Sequence, residues 1–183
     1  MAAMIEIKHK FSGEVLRTVD ADTLAEADLA SADLAVANLT DTGLNGARLE
    51  KTNLGVADLR RANLSNANLC QANLTGANLE SANLLYAYAP GANFTGANLA
   101  DVNLQGANLQ GANLTAANLT GANLRNANLQ HADLSRAVMT DVAVSGAIYD
   151  SSTRFPEWFF EPQEQGAVLV GADQPRPTGQ SNS

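Results

Sequence analysis

The sequence predicts an all-β solenoid, a chain that turns once every five residues and stacks its coils around a dry aliphatic column. Three observations carry that expectation. From Leu24 to Val144 an apolar residue recurs at every fifth position, 25 times without an insertion or deletion, and 21 of these are Leu. Two residues before each stands a small residue, which is Ala in 20 of the 25 pentads. The residue between is Asn in 15 and Asp in 4, so the unit reads A-[N/D]-L-x-x, as in Ala62-Asn63-Leu64 and Ala107-Asn108-Leu109.

A period of five fits neither a helix nor one straight strand. Five helical residues advance by roughly 500°, so successive leucines would drift by about 140° and wrap every side of the helix. Asn and Gly, abundant here, are also poor helix formers. In a straight strand side chains alternate with period two, and an odd repeat would throw successive leucines to opposite faces. A bend in every pentad removes the conflict. Ala and Leu then point inward across a short extended segment, Asn or Asp points outward, and the two x positions make the corner. Gly46, Gly76, Gly96, Gly106, Gly111 and Gly121, with Asn66 and Asn126, occupy corner slots and suit tight turns.

This array resembles the pentapeptide-repeat proteins over about 125 of the 183 residues. The resemblance implies a right-handed quadrilateral parallel β-helix with four pentads per coil. Twenty-five pentads then make about six coils and a rod on the order of 30 Å. Within one such coil the inward residues are Leu84, Ala89, Phe94 and Leu99, where an undersized and an oversized side chain share a layer. Thr75, Thr95, Thr115 and Ser135 also recur at twenty-residue spacing and are expected to stack as a hydroxyl column.

The elements follow in order. Residues 1–21 read as an N-terminal β-hairpin cap, with Met4–Lys8 and Glu14–Arg17 flanking a turn at Ser12-Gly13. Residues 22–149 are the repeat β-helix, with Ile148-Tyr149 its last inward-facing segment. A C-terminal cap is expected over 150–170, where Phe155, Trp158, Phe159 and Phe160 concentrate the aromatics. Pro156 and Pro162 bracket a single expected helical turn. The same aromatic cluster is the candidate homodimer contact, since the resemblance implies end-to-end contacts in some members. The Gly, Pro, Gln, Ser and Asn composition of 171–183 reads as a disordered tail.

Composition narrows the function. The net charge is −8, from 11 basic and 19 acidic residues, which argues against direct binding of nucleic acid or an anionic membrane. No stretch approaches the ~20 apolar residues of a membrane span, and the start lacks a signal-peptide run, so a cytoplasmic protein is expected. The one cysteine, Cys70, takes an outward x slot, and His9 and His131 have no companion of ligand spacing in the sequence, so no metal or cofactor is expected. Asp28, Asp33, Asp58 and Asp133 fill the Asn slot and read as wall residues. No glycine-rich phosphate loop or nucleophile–base pair stands out, so the chain is expected to be noncatalytic.

One segment breaks the pattern without losing phase. Leu85 and Tyr86 take corner slots, Tyr88 replaces the usual Asn, and Pro90 takes the next corner. These four form the candidate protein-binding site, weighed against a locally self-packed bulge. The expected function is a rigid protein-interaction scaffold whose partner the sequence does not name. The alternative comes from the resemblance: some pentapeptide-repeat proteins imitate DNA, bind type II topoisomerases such as gyrase and protect against quinolones. A 30 Å stretch of DNA carries on the order of 18 charges. The span 22–146 holds 11 acidic and 6 basic residues, a net of −5, and between Ala62 and Leu124 only Glu80 and Asp101 are charged. The acidic start of the array (Asp20, Asp22, Glu26, Asp28, Asp33) is where imitation would have to concentrate.

Overall fold

Backbone hydrogen bonding decides how the pentads stack. The computed structural model describes residues 4–159 and 161–171. Parallel bridges join each Asn-slot residue to its counterpart one coil on. Every bridge from Asp28↔Arg48 to Asn128↔Ile148 spans twenty residues, and the last, Asp133↔Arg154, spans twenty-one. Four pentads therefore complete one coil of an all-β solenoid, and the bridges form four columns, one on each face.

The pentad 62–66 shows why this chain closes its hydrogen bonds in that geometry. Ala62 N–H donates to Leu59 O across the corner (3.0 Å), Asn63 N–H to Thr42 O of the preceding coil (2.9 Å), and Leu64 N–H to Asn83 O of the next (2.7 Å). Asn66 N–H donates to Leu85 O, also of the next coil (2.9 Å). The remaining donor, Ser65 N–H, is met by the Asn63 side-chain oxygen at 3.2 Å. All five N–H groups are satisfied, as a buried ladder demands. Each corner is a four-residue turn closed from Leu O to the following Ala N–H, with its second x residue at positive φ, the sign pattern of a type II turn. The fold imposes that conformation even on Val36, Val56 and Tyr86 (φ 61°, 57° and 56°).

The inward slots pack as the pattern requires. Leu29 through Leu134, with Ala89 and Phe94 in register, are buried in one continuous core together with the Ala column. Thr52 replaces one Ala, and its hydroxyl donates to Leu29 O at 2.7 Å, so that polar group is satisfied. Thr75, Thr95, Thr115 and Ser135 stack one coil apart. The hydroxyls of Thr75, Thr95 and Ser135 turn back to the Asn or Asp two residues earlier rather than to one another.

At the N-terminal side, strands β1 (Met4–His9) and β2 (Val15–Asp20) form an antiparallel hairpin with a bulge between Ile7 and Lys8. β1 also pairs antiparallel with β3 (Ala37–Asn38), so the hairpin extends one face of the first coils, and Ile7 joins the core. At the other side, β4 (Ile148–Tyr149) pairs in parallel with β5 (Val168–Leu169). A 3-10 segment spans Pro162–Gln165. The helical turn thus starts at the second proline instead of lying between the two, because proline's missing N–H is harmless at a first helical position. Among the described residues no helix is long and apolar enough to cross a membrane. Phe160 and residues 172–183 of the expected tail lie outside the described residues.

Candidate functional site

The walls of the rod are built by the Asn slot, and the candidate site is one of the six pentads in which neither Asn nor Asp fills it. An Asn in this slot does two jobs. Its Oδ1 accepts the N–H two residues on, at 3.2 Å for Asn83 and Leu85, and where acceptors line up its amide donates to the previous coil. The second job makes ladders: Asn83 to Asn63, Asn103 to Asn83 and Asn123 to Asn103, at 3.1–3.2 Å. Asp performs only the accepting half. Asp33 stands at the foot of a column, taking the Asn53 amide at 2.8 Å, and Asp28 takes Arg48 at 2.9 Å. These aspartates are wall residues, as their slot suggests. The accepting role of Oδ1 was missed by sequence reasoning, although the fixed two-residue offset from Asn to the first corner residue was visible.

Tyr88 removes both functions at one rung. It cannot accept the N–H two residues on, but that residue is Pro90, which has none. The two departures cancel, so the backbone keeps its bridges Asn68↔Tyr88 and Tyr88↔Asn108. In the Tyr88 column the Asn68 amide donates to Glu50 instead of to a wall residue one coil below, and Tyr88 leaves Asn108 without an Asn acceptor there. Tyr86, at the preceding corner, lays its ring along the rod over Gly106. A Cβ at Gly106 would collide with the Tyr86 ring at Cε1 and Cδ1, so only glycine leaves room for the ring in this pose. Tyr86 stays 58% exposed and Tyr88 48% exposed, with Leu85 and Pro90 half-buried beside them. The structure therefore brings the four residues together across one coil face. Tyr86 is partly packed on its own rod, and both rings still face solvent.

The C-terminal aromatics divide differently. Tyr149 meets Phe155 edge-on (5.4 Å between centroids), Phe155 stacks on Phe159 at 5.4 Å, and Tyr149 and Phe159 are buried. Trp158 touches Phe159 edge-on at 5.9 Å yet is 53% exposed. It stands between two clefts of about 590 and 370 Å³, the larger against Met139, Asp141 and Val142 and the smaller against Arg136 and Pro156. Phe160, the fourth of the expected cluster, lies outside the described residues.

Comparison with known proteins now bears on this architecture. The family model for pentapeptide repeats matches in eight copies, over residues 23–55, 57–96, 82–115 and 117–148. The chain belongs to the pentapeptide-repeat family. Among solved structures it is similar to the pentapeptide-repeat protein Rfr23 of the cyanobacterium Cyanothece 51142, at 44% identity over 54% of this chain and 64% of that one, with a TM-score of 0.39. HetL, a pentapeptide-repeat protein involved in heterocyst differentiation regulation in Nostoc sp. strain PCC 7120, is 30% identical over 68% of this chain and 70% of its own, with a TM-score of 0.38. QnrB1, a plasmid-mediated fluoroquinolone resistance protein, is 16% identical over 79% and 80% of the two chains, with a TM-score of 0.40. None of the curated proteins matches the chain.

Electrostatics and titratable groups add detail to this pentapeptide-repeat rod. Among the described residues no group of His, Cys, Asp and Glu could hold a metal ion. Cys70 is half-buried rather than freely exposed. Three aspartates of the N-terminal coils are paired with arginines: Asp28 with Arg48 (2.9 Å), Asp58 with Arg60 (2.7 Å) and Asp41 with Arg61 (2.5 Å). Arg61 holds the Asp41 carboxyl below its ordinary range, and Arg60 does the same for Asp58.

One cluster was invisible in the sequence. His131, Asp150 and Ser152 meet where the extra residue of the last coil enters. His131 Nδ1 lies 3.2 Å from Asp150 Oδ2 and 2.5 Å from Ser152 Oγ, while Ser152 Oγ donates to Asp150 Oδ1 at 2.7 Å. A nucleophile–base–orienter relay needs the hydroxyl and the carboxylate on opposite ring nitrogens. Both crowd one nitrogen here, so the trio ties a loop and does not form a relay. Burial alone would raise the Asp150 pKa. The Ser152 hydroxyl, the N–H groups of His131 and Ser152 and the Thr153 hydroxyl outweigh it, and Asp150 is held at about 2.

Proposed function

We propose that this pentapeptide-repeat protein is a noncatalytic, rigid scaffold, a right-handed four-sided rod that binds a protein partner through Leu85, Tyr86, Tyr88 and Pro90. In this reading the hairpin and the Tyr149/Phe155/Phe159 stack serve as the caps that a solenoid needs at its ends. The observation that carries the binding site is the compensated break at one rung. Tyr88 and Pro90 offset each other's backbone consequences, and Gly106 makes the space in which the Tyr86 ring rests. The result is a pair of exposed aromatic rings, one held against the rod, on a wall whose repeat positions are mostly Asn. Aromatic anchors of this kind, with little rotamer freedom left to lose, are favoured at interface centres.

The test is the double change Tyr86→Ala with Tyr88→Asn, which returns the wall toward its consensus. Folding is expected to persist, with loss of the partner captured by the intact protein from its native host. Retention of every captured protein would remove the patch from consideration. The charge distribution speaks against the DNA-imitating alternative, because Asp28, Asp41 and Asp58 are each paired with an arginine and the middle of the rod is nearly neutral. A gyrase supercoiling assay with and without quinolone separates the two readings directly, and no effect of the purified protein is expected.

A further inference from the structure

The two ends of one face are complementary. That face begins with β2 and β1, continues through β3, and runs up the column Asn38, Asp58, Asn78, Asn98, Asn118 and Val138. β1 is antiparallel to both β2 and β3, so β2 runs in the same direction as every segment of the column. β2 is an edge strand. His9 N–H donates to Glu14 O and Lys10 N–H to Val36 O, which fixes the alternation along β1 and makes Glu6↔Thr18 a pair without mutual hydrogen bonds. The Thr18 N–H and C=O therefore point outward, away from β1.

At the opposite end two of the four columns are continued, by Val168 and by Arg154, while those of Val138 and Ala143 receive no further strand among the described residues. In the rod's repeating pattern Met139 N–H would donate to a following coil and Ala137 O would accept from it. The 590 Å³ cleft between Met139, Val142 and Trp158 lies at that edge. Val138 beside it is 46% exposed.

We propose that this end seats the β2 edge of a second copy of the same chain, so that protomers join head to tail and one face continues across the junction as parallel sheet. Parallel pairing is the geometry of every bridge in the rod, so the junction repeats internal contacts. Charge selects this arrangement over a symmetric one. Residues 136–166 hold Asp141, Asp150, Glu157, Glu161 and Glu164 against Arg136 and Arg154, a net of −3, so two tails brought face to face would repel. On the hairpin Lys8, Lys10 and Arg17 balance Glu6, Glu14 and Asp20, so head and tail do not repel. A head-to-tail contact is heterologous and leaves a free end at each side, so association is open-ended.

Sedimentation of the full chain over a concentration series tests this. The weight-average mass is expected to rise continuously with concentration. Thr18→Pro deletes the outward N–H at an edge position that tolerates proline, and Trp158→Arg blocks the tail. Each variant alone is expected to stay monomeric, and their mixture to give a one-to-one dimer, because one retains the tail and the other the head. Arg17→Glu, which leaves the strand backbone intact, replaces Thr18→Pro as the head variant if the proline prevents folding. A wild-type chain that stays monomeric throughout, a blocked variant that still self-associates, or a mixture that forms no dimer each overturns the proposal.

Discussion

The layer that holds Ala89 and Phe94 gives the sharpest measurement of how this core is packed. Every other residue of the Leu slot from Leu24 to Leu134 is leucine, and both exceptions fall in one coil with Leu84 and Leu99, all four fully buried. Ala89→Leu alone adds three carbons to a filled layer. Overpacking of that kind costs about 1–3 kcal/mol. Phe94→Leu alone leaves a partial cavity, worth about 1–2 kcal/mol on the scale of large-to-small core changes. Together they recreate the all-Leu layer found in the coil that begins at Leu104, so the losses should largely cancel, leaving a coupling energy of about 2–3 kcal/mol. For a chain of this length, each kcal/mol moves the melting midpoint by roughly 2–4 °C. Circular-dichroism melts of the two single variants are therefore expected to fall several degrees below wild type, and the double variant to return to within about 2 °C. Strict additivity, with the double variant the least stable, would show that the two residues do not share a layer and would break the link between twenty-residue spacing and core packing.

Three further expectations follow from the same geometry. Leu104→Lys places an ammonium in the fully buried column, and a melting midpoint equal to wild type would refute the inside–outside assignment of the repeat. Gly106→Ala, at φ 65°, is expected to cost about 1 kcal/mol in backbone strain and a further increment from displacing the Tyr86 ring. In a Tyr86→Ala background only the first part should remain, so equal costs in both backgrounds would deny the ring its seat on that glycine. Asp150 titrates at about 2, below its unfolded value near 3.9, so its contribution to stability is complete above pH 4 and is lost as the pH falls through about 2. Asp150→Asn is expected to reduce the fall in melting midpoint between pH 4 and pH 2, and an unaltered acid profile counts against the Ser152/His131/Thr153 cradle.

The fold was legible because the sequence repeats one physical instruction. Ala and Leu flank an outward residue at fixed spacing, and a chain obeying that pattern has to bend each time. The count of four pentads per coil was not contained in the period of five. It depends on how the corners close and on carbonyls one coil away, and the twenty-residue bridges reveal it. The role of Asn was half legible. Stacked amides follow from the repeat, whereas the capture of the corner N–H by Oδ1 requires knowing which donor the backbone leaves unserved. Tyr86, Tyr88 and Pro90 stood out as exceptions, but their mutual compensation appears only when Pro90's absent N–H is set against Tyr88's absent acceptor. The His131/Asp150/Ser152 cluster was out of reach, since a single inserted residue in the last coil brings together side chains some twenty positions apart.

In a solenoid this regular, the consensus positions are committed to internal bonding. A wall Asn spends its oxygen on a corner N–H and, in the unbroken ladders, its amide on the preceding coil, so a partner meeting that wall finds many polar groups already occupied. Recognition has to draw on places where that internal commitment lapses. There are two kinds in this rod. Where Tyr88 replaces a wall Asn, the lost acceptor is matched by the N–H that Pro90 lacks, and apolar surface is left over without an unsatisfied backbone donor. Where the columns of Val138 and Ala143 stop, the backbone is left without a further strand among the described residues. The first suits a side-chain contact with an unlike protein. The second suits strand pairing, and β2 offers a strand of matching direction on the same face. Because the two lie on different parts of the rod and draw on different groups, Tyr86→Ala with Tyr88→Asn should leave the concentration dependence of the mass unchanged, and Thr18→Pro should leave partner capture unchanged. Cross-effects in either direction would mean that the two surfaces are one.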